Sequence, residues 1–297
     1  MQDEIVFIIN PISGKRNKGS IRKEMVDAFI REKGLKARSI LTEETKHATD
    51  ITRQALKEGA ARIVSVGGDG TMNEIAKEMV GTEVPLGLVP MGSGNGLARH
   101  LHLPLRFNDA LKVAIGDHVI GIDTGEVNGH PFFNVMGFGL DAEIGKRFNE
   151  AKGRGFMTYL KEGLKAIVSC RSSKYTLMPG DGSVSIDAFV LAIANSSQYG
   201  SNAYIAPDAS LKDGKLNVVA IQTPGFLGTI DLFWRMFFKA IYGSRKVKAF
   251  CSERIRIKLS KEGYFHADGE IFECGKEIGI VSRPKSLLMA LPSECFA

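Results

Sequence analysis

The first 120 residues alternate between short apolar runs and segments in which apolar positions recur every three or four residues. The short runs occupy residues 5–9, 37–42, 63–66 and 84–90. Their length and apolar character predict buried strands of a parallel sheet. The helical spacing between them predicts helices that cover about 20–30, 48–58 and 73–80. The alternation of strands and helices therefore predicts an α/β domain.

The pattern changes after residue 117, where strand-like runs predominate. These runs occupy residues 119–127, 132–138, 183–194, 216–222, 254–259, 278–281 and 287–291. Hairpin-like turns such as Asn128-Gly129 and Gly180-Asp181-Gly182 join several of them. We therefore expect an α/β domain over 1–122 and a largely antiparallel β domain over 123–285. The tail, 286–297, is expected to pack back on the first domain.

Two helices are predicted within the β domain, at about 156–169 and 225–242. The second one is crowded with aromatic residues and is followed by basic ones. Its apolar side chains occupy more than one face, so it can bury one side and present the other to lipid. Because its polar face carries few cations for an amphipathic membrane anchor, packing into the core is favoured over lipid contact.

Glycine-rich loops follow three of the predicted strands, and each loop leads into a helix. They are residues 10–15, 67–71 and 91–99. The free N–H groups and the dipole of a helix start favour an anion, and glycine lets a phosphate approach the backbone. Taken alone, any of these loops also fits an ordinary turn. Three of them at the carboxyl ends of one parallel sheet predict a phosphate ligand at that edge.

Carboxylates in several turns are candidates for chemistry. Asp69 lies inside the second glycine loop, where it would repel a phosphate unless it holds Mg²⁺ or accepts a proton. The alternative is that Asp69 is a helix N-cap. Asp213 and Asp268 each lie in an Asp-Gly turn between strands, and for either turn alone a plain hairpin is the simpler interpretation.

Composition narrows the function classes only partly. The net charge of +6 and the pI of about 9.0 suit a phosphate ligand, nucleic acid or an anionic membrane equally well. RNP and zinc-finger patterns are absent from the sequence, so no nucleic-acid partner is expected. No apolar run approaches the roughly 20 residues of a membrane span, and no signal peptide is expected. The four cysteines have no CxxC spacing, which favours a reduced, cytoplasmic setting.

Five motifs in a fixed order resemble one known family. They are Asn10-Pro11-x-Ser13-Gly14, Gly67-Gly68-Asp69-Gly70-Thr71-x-Asn73-Glu74, Gly92-Ser93-Gly94-Asn95-x-Leu97-Ala98-Arg99, Asp213-Gly214 and Asp268-Gly269-Glu270. With them the chain resembles the diacylglycerol kinase catalytic-domain family, which includes bacterial soluble lipid kinases, sphingosine kinases and ceramide kinases. NAD kinases and 6-phosphofructokinases share the GGDG motif, but the first loop and the Asn73-Glu74 extension argue against those relatives.

The resemblance implies an N-terminal α/β nucleotide-binding domain with a parallel sheet like that of NAD kinase and 6-phosphofructokinase. It implies a C-terminal antiparallel β-sandwich domain and an active site in the cleft between the two domains. MgATP would be the phosphoryl donor, and a lipid hydroxyl would be the acceptor. The residues that would line ATP are Asn10, Pro11, Ile12, Ser13, Gly14, Thr42, Gly68, Asp69, Gly70, Thr71, Met72, Asn73, Glu74 and Ser93.

The resemblance also implies roles for single residues. Asp268 would be the general base, and we assign Asp69 to the Mg²⁺–phosphate side, although the corresponding aspartate of sphingosine kinases has been given the role of base. Lys15 would add positive charge beside the phosphates. A structural Mg²⁺ ion would be held by Asp213 and by the backbone carbonyls of Ser210 and Lys215. The supporting network would consist of Asp123 and Glu270.

The third glycine loop departs from the bacterial diacylglycerol kinase pattern. Those enzymes typically have a second acidic residue at the position of Gly96, and the loop here resembles the sphingosine-kinase pattern more closely. This departure weakens the specific prediction of diacylglycerol as the substrate. It leaves a sphingoid base or another lipid alcohol open.

The sequence therefore predicts an ATP-dependent lipid kinase that acts in lipid metabolism or phospholipid biosynthesis. It is expected to be cytoplasmic and to contact the membrane surface peripherally, where its lipid substrate lies. A homodimer is left open. Two alternatives remain: a kinase of a soluble metabolite such as NAD, and a nucleotide-binding module without catalysis.

Overall fold

The structure is a computed structural model that describes residues 4–14, 19–139, 172–180 and 182–293. The chain divides into two compact units, one formed by Met1–Ile122 with Lys285–Ala297 and the other by Asp123–Pro284. The helix expected at 156–169 and the predicted phosphate neighbour Lys15 lie outside the described residues.

The first unit alternates strands and helices, as its hydrophobic pattern predicts. Its elements are β1 (Ile5–Ile9), α1 (Gly19–Lys33), β2 (Ala37–Leu41), α2 (His47–Lys57), β3 (Arg62–Gly67), α3 (Asp69–Met79), β4 (Leu86–Pro90), α4 (Gly96–His100) and α5 (Phe107–Ala114). The strand order is β2-β1-β3-β4, and these neighbours are all parallel.

Apolar side chains cover both faces of this parallel sheet. Phe7 and Ile9 pack with Val26 of α1 and Leu111 of α5 in one core cluster. Ile8, between them in β1, is fully buried and points to the opposite face because successive strand residues alternate. The helices α2 and α3 contact each other and the strands β1 and β3. Burial on both faces is the reason that these strands are continuous apolar runs.

The second unit consists mainly of antiparallel strands. Its elements are β5 (Val119–Val127), which begins in the first unit, β6 (His130–Phe132), β7 (Val135–Gly139), β8 (Ser173–Pro179), β9 (Val184–Ala188), β10 (Val190–Ala194), β11 (Leu216–Ile221), α6 (Gly225–Phe237), a 3₁₀ turn (Ile241–Gly243), β12 (Val247–Ser252), β13 (Arg254–Leu259), β14 (Gly263–Ala267), β15 (Glu270–Cys274) and β16 (Glu277–Ala290). The C-terminal part of β16 belongs to the first unit and pairs in parallel with β4.

Two antiparallel layers of the second unit enclose a common core. One has the strand order β12-β11-β10-β7-β14-β15, and the other contains β16-β13-β8-β9. Leu191 and Ile193 of β10 share a core cluster with Leu177 of β8 and Ile255 of β13. Side chains from the inner faces of both layers therefore interdigitate, as in a β-sandwich. The expected α/β domain and antiparallel β-sandwich are both confirmed.

Several predicted element bounds differ from the structure. The run 132–138 contains the end of β6 and most of β7, and the run 183–194 is divided into β9 and β10. The strands β8 and β12 were not predicted as elements. β8 has only two fully buried residues, Tyr175 and Leu177, between more exposed ones, and every residue of β12 is partly or fully exposed, so neither forms a continuous apolar run. The helix α3 begins at Asp69, earlier than the expected residue 73, because Gly68 is its N-cap.

The aromatic helix is shorter than predicted and is only half buried. α6 ends at Phe237 instead of near residue 242. Leu232 packs into a cluster on the outer face of the six-stranded sheet, with Met236 against it. Most other large apolar side chains of α6 are exposed, so the predicted core packing is correct for one face only. In the described parts of the chain, no helix has the length and hydropathy needed to span a bilayer.

Candidate active site

The three glycine-rich loops follow strands that are neighbours in the sheet. β1 ends at Ile9, β3 at Gly67 and β4 at Pro90, and the order β1-β3-β4 makes each pair adjacent. Because the strands are parallel, all three loops leave the same edge of the sheet. This is the edge at which open α/β sheets bind their ligands.

Side chains of the first loop bond to the second loop. Asn10 Nδ2 donates to Thr71 Oγ1 at 2.8 Å. The backbone N–H of Gly68 donates to Ser13 Oγ at 3.2 Å. Asn10 also orders its own loop, since its Oδ1 accepts the N–H of Ile12 at 3.0 Å. Five residues predicted to line ATP thus take part in the bonds that order the first loop and join it to the second.

A carboxylate joins the second loop to the third. Asp69 accepts the backbone N–H of Asn95 on one oxygen and that of Gly96 on the other, both at 2.7 Å. The third loop is closed by Asn95, whose side chain accepts from Gly92 N at 2.9 Å and donates to Gly92 O at 2.8 Å. Asp69 therefore caps the start of α4, although the N-cap interpretation of the sequence placed it on its own helix.

Glycine is required where the loops approach each other most closely. A Cβ on Gly92 would lie 2.8 Å from the Cα of Gly68, closer than real Cβ contacts. A Cβ on Gly14 would lie 2.6 Å from the carbonyl oxygen of Met91, and its φ of +72° also favours glycine. A larger residue at Gly14 or Gly92 therefore cannot be placed without moving the loops.

Burial governs the electrostatics of Asp69. Desolvation raises the pKa of its carboxyl above the usual value, although the N–H donors of Gly96 and Asn95 and the nearby cation Arg99 act in the opposite direction. The helix α3 begins at this residue, and its first internal N–H bond runs from Met72 to the carbonyl oxygen of Gly68. The preceding N–H groups, including that of Gly70, have no acceptor within the helix. Free N–H groups at the start of a helix favour an anion.

Arg22, which the sequence did not single out, lies beside the first loop. Arg22 is 5% exposed, and its Nη1 has no hydrogen-bond partner among the described residues. Its Nη2 lies 3.4 Å from the position that a Cβ on Gly14 would take. Desolvation by burial lowers the pKa of the guanidinium. A buried guanidinium N–H without an acceptor is costly, and an anion at this loop would supply one for Nη1.

A small cavity lies behind the second loop. It has a volume of ≈ 10 Å³ and is lined by Gly68, Asp69, Asn95 and neighbouring apolar side chains. A space of this size holds about one water molecule at most. It is therefore too small for a nucleotide, which would have to bind on the outer surface of the loops.

The other residues predicted to line ATP differ in exposure. The side chain of Ile12 is 65% exposed at the first loop, and Ser93 is exposed in the third. Thr42 is buried after β2, where its N–H bonds to Ile9 O at 2.9 Å. Pro11, Gly70 and Glu74 are at least partly exposed, whereas Met72 and Asn73 are buried in the unit. For the two buried residues a supporting role beneath the loops fits their position.

In the second unit, Asp268 occupies a ring of backbone N–H groups. Its carboxylate accepts from Phe133 at 2.6 Å, from Asn134 at 2.9 Å and from Val135 at 3.0 Å. The residue sits in the turn between β14 and β15 with φ +50°. Desolvation by burial raises the pKa of this carboxyl, against the lowering effect of the three N–H donors and of His266. Glu270 follows as the exposed first residue of β15.

The predicted structural metal ligands lie in the loop before β11 in the second unit. Asp213 Oδ1 accepts the N–H of Lys215 at 3.0 Å, and Ser210 Oγ accepts that of Lys212 at 3.2 Å. The buried Asp123 accepts the N–H of Gly214 at 2.7 Å. Asp123 therefore holds the backbone of the turn that carries Asp213.

The donors in this turn are compatible with a hard cation. A carboxylate and two backbone carbonyls are oxygen ligands of the kind that Mg²⁺ accepts when waters complete its shell. Within the described residues, no group of three or more His, Cys, Asp or Glu side chains could hold a metal. An ion bound here would consequently depend on backbone oxygens of Ser210 and Lys215 together with Asp213.

Two family models match the chain almost end to end. The diacylglycerol kinase catalytic domain matches residues 4–127. The YegS C-terminal NAD kinase beta sandwich-like domain matches residues 134–286. The two matches correspond to the α/β half and the β-sandwich half of the structure.

Known proteins are similar over the same length. "Probable lipid kinase YegS" of Escherichia coli O6:K15:H31 (strain 536 / UPEC) is 27% identical over 276 residues, covering 90% of both chains. The protein of the same name from Shigella boydii serotype 18 (strain CDC 3083-94 / BS512) is 27% identical over 280 residues, again covering 90% of both. A crystal structure of a diacylglycerol kinase from Bacillus anthracis str. Sterne covers 98% of both chains with a TM-score of 0.75 at 18% identity, which supports the fold.

Proposed function

The chain belongs to the diacylglycerol kinase catalytic-domain family and is a kinase, and from this premise we propose that it transfers the γ-phosphate of MgATP to the hydroxyl group of a lipid alcohol. Diacylglycerol and sphingoid-type lipids are the two acceptor classes we consider. The lipid would be reached by peripheral contact with a membrane surface.

The observation that supports this proposal most strongly is the hydrogen-bonded set of three glycine loops. Phosphoryl transfer depends on the positioning of the phosphates and on stabilisation of charge at their oxygens. Backbone N–H groups at the start of α3 supply such stabilisation, and the bonds from Asn10 to Thr71 and from Asp69 to Asn95 hold the loops in place. We assign the phosphates of ATP to this surface.

Arg22 is a further candidate for contact with the phosphates of ATP. Its guanidinium is buried beside Gly14 and lacks a partner for Nη1 among the described residues. A phosphate oxygen at the first loop would supply that partner through a charge-assisted hydrogen bond. We therefore propose that Arg22 contributes to nucleotide binding together with Asn10, Ser13 and Gly14.

Asp268 is proposed as the general base that takes the proton from the lipid hydroxyl. A base works best when its pKa lies closer to the operating pH, and such a base contributes about 10²–10⁴-fold to the rate. Burial moves the pKa of Asp268 in that direction. Its three N–H donors hold the carboxylate in one orientation. Oδ1 accepts two of them and Oδ2 accepts one, so Oδ2 keeps a lone pair for the substrate hydroxyl.

Mg²⁺ fits two proposed positions. When bound with ATP, it would neutralise charge on the phosphate oxygens, and Asp69 is the carboxylate on that side. At the turn of the second unit, Asp213 and the carbonyls of Ser210 and Lys215 would hold a structural ion, while Asp123 keeps the turn in shape. Glu270 would support the carboxylate network near Asp268.

A transfer assay tests the proposal. Radiolabelled MgATP is incubated with mixed micelles that contain diacylglycerol, sphingosine, ceramide or monoacylglycerol, and in parallel with NAD. We expect label in one lipid and none in NAD. Label in NAD, or ATP binding without transfer to any lipid, would overturn the proposal.

Two glycine variants form a matched pair in that assay, one that should disturb the loops and one that serves as the control. Gly92→Ala forces a Cβ to within 2.8 Å of Gly68 and should abolish transfer. Gly263→Ala adds a Cβ with no atom within 4 Å and should leave transfer unchanged.

A further inference from the structure

The helix α6 presents a continuous row of large apolar side chains to solvent. Phe226, Leu227, Ile230, Trp234 and Phe238 are between 45% and 81% exposed. Leu227, Ile230, Trp234 and Phe238 follow one another at spacings of three and four residues, and Phe226 precedes Ile230 by four, so all five lie along one side of the helix and its C-terminal cap. We call these five residues the α6 stripe. An apolar row of this length on a surface marks a binding site for another apolar surface.

The other side of α6 fixes the direction in which the stripe points. Leu232 and Met236 follow Ile230 and Trp234 by two positions, which is more than half a turn around a helix. Leu232 is buried, and Met236 packs with it against the outer face of the six-stranded sheet. The stripe is therefore directed away from the body of the second unit, and Leu232 and Met236 pack the helix against the sheet.

Charge and residue type identify the surface that the stripe fits. Between residues 225 and 248 the chain carries five cations and one carboxylate, a net charge of +4 (5 − 1). The carboxylate, Asp231, is already paired with Arg235 at 2.7 Å. Lys239, Arg245, Lys246 and Lys248 then follow the stripe as exposed cations. Phenylalanine, tryptophan and leucine beside lysine and arginine are typical of a helix that lies in the interface of an anionic bilayer.

We propose that the α6 stripe and the cations after it dock the protein on an anionic lipid bilayer. The stripe would enter the boundary between headgroups and acyl chains, and the cations would contact the headgroups. The sequence alone favoured core packing for this helix. This inference builds on the proposed lipid-kinase activity, because docking would bring the enzyme to a membrane-bound acceptor, but its test measures binding and not transfer.

Trp234 makes the proposal directly measurable, because it is the single tryptophan of the chain and belongs to the stripe. The full chain is titrated with vesicles of phosphatidylcholine alone or with about one third phosphatidylglycerol, and Trp234 emission is recorded. We expect a blue shift with the anionic vesicles that weakens as salt is raised, since surface charge is screened by salt. No shift with anionic vesicles would overturn the proposal.

Variants separate the two parts of the surface. Leu227→Ser with Phe238→Ser should weaken vesicle binding by about tenfold or more, because two large apolar groups no longer enter the interface. Lys246→Gln with Lys248→Gln should weaken it by about tenfold, and only for anionic vesicles. Leu105→Ser, which removes an apolar side chain that is 47% exposed in the first unit, should change nothing.

If the α6 stripe is covered by protein instead of lipid, other measurements will show it. If a second copy covers it, light scattering will show a dimer that Leu227→Ser with Phe238→Ser dissociates. If another segment of the same chain covers it, Trp234 will resist quenching by iodide in the absence of vesicles. Either outcome overturns membrane docking. If the wild-type protein binds the vesicles but phosphorylates no lipid in the transfer assay, only the proposed function is refuted.

Discussion

One carboxylate oxygen of Asp69 accepts the backbone N–H of Gly96 at 2.7 Å, and its other oxygen accepts the N–H of Asn95. The carboxylate that the sequence analysis assigns to the Mg²⁺–phosphate side thus also joins two glycine loops through hydrogen bonds. Gly96 is the position at which the chain departs from the bacterial diacylglycerol kinase pattern, and it takes part here through its backbone.

Asp69→Asn should lower both stability and nucleotide affinity. The amide can accept only one of the two N–H bonds, and its NH₂ group would face the other donor. An unsatisfied buried donor costs about 1–3 kcal/mol, so we expect a lower melting temperature and a raised KM for MgATP. Asp109→Asn, which changes a half-exposed aspartate of α5, is the matched control. A large loss of kcat with unchanged melting temperature and KM would show that Asp69 acts in the chemistry instead of holding the loops.

The rate should depend on pH through a carboxyl group. Burial raises the pKa of Asp268 above that of an exposed aspartate, and a general base works only when it is deprotonated. We therefore expect kcat/KM to be low below the raised pKa, to increase about tenfold per pH unit there, and to level off above it. The same fall in kcat/KM at low pH should persist in the residual activity of Asp69→Asn. If this fall disappears in that variant, Asp69 is the base.

Arg22→Gln should raise the KM for MgATP by about tenfold or more, since a charge-assisted hydrogen bond to phosphate is worth about 1.5–3 kcal/mol. The stability of the free protein should not fall, because the variant removes a buried cation whose Nη1 has no partner among the described residues. Arg53→Gln is the control, since Arg53 forms an exposed ion pair with Glu78 at 2.8 Å. An unchanged KM, measured in the transfer assay, would remove Arg22 from the nucleotide site.

Asp213→Asn should separate metal binding from turn formation. Asparagine keeps the Oδ1 that accepts the N–H of Lys215, so the turn is preserved while the charge is lost. We expect the wild-type melting temperature to rise with Mg²⁺ and to fall with a chelator. The variant should lose this dependence, whereas Asp208→Asn nearby should retain it. Equal Mg²⁺ dependence in all three proteins would argue against a structural ion at this turn.

The parallel sheet could be predicted from the sequence because burial on both faces produces unbroken apolar runs. Residues 5–9 and 63–66 show this pattern clearly. The strand β12 could not be predicted from the sequence, because it is an edge strand whose residues are partly or fully exposed. The aromatic helix α6 was predicted, but its hydrophobic pattern did not reveal which face is buried. That depends on which residues pack on the sheet.

Candidate site residues could be predicted by type and position, whereas their contacts could not. The loop at Asp69 was identified from its glycines, but its bonds to residues 95 and 96 follow from the strand order. Asp268 was identified by resemblance, yet its N–H donors come from residues about 135 positions earlier. Arg22 gave no signal, since nothing in a helical sequence reveals that an arginine is buried.

The central claim is that Asp268 acts on the acceptor while the glycine loops hold the nucleotide. The most direct test measures phosphate transfer to lipid and MgATP affinity in Asp268→Asn, with Glu273→Gln, an exposed carboxylate of β15, as control. Asparagine tolerates the positive φ of this position, so the turn should persist.

We predict that transfer in Asp268→Asn falls by about 10²-fold or more while the Kd for MgATP changes only a few-fold. The control should match the wild type in both measurements. Retained transfer in Asp268→Asn, or loss of ATP binding together with transfer, would contradict the account.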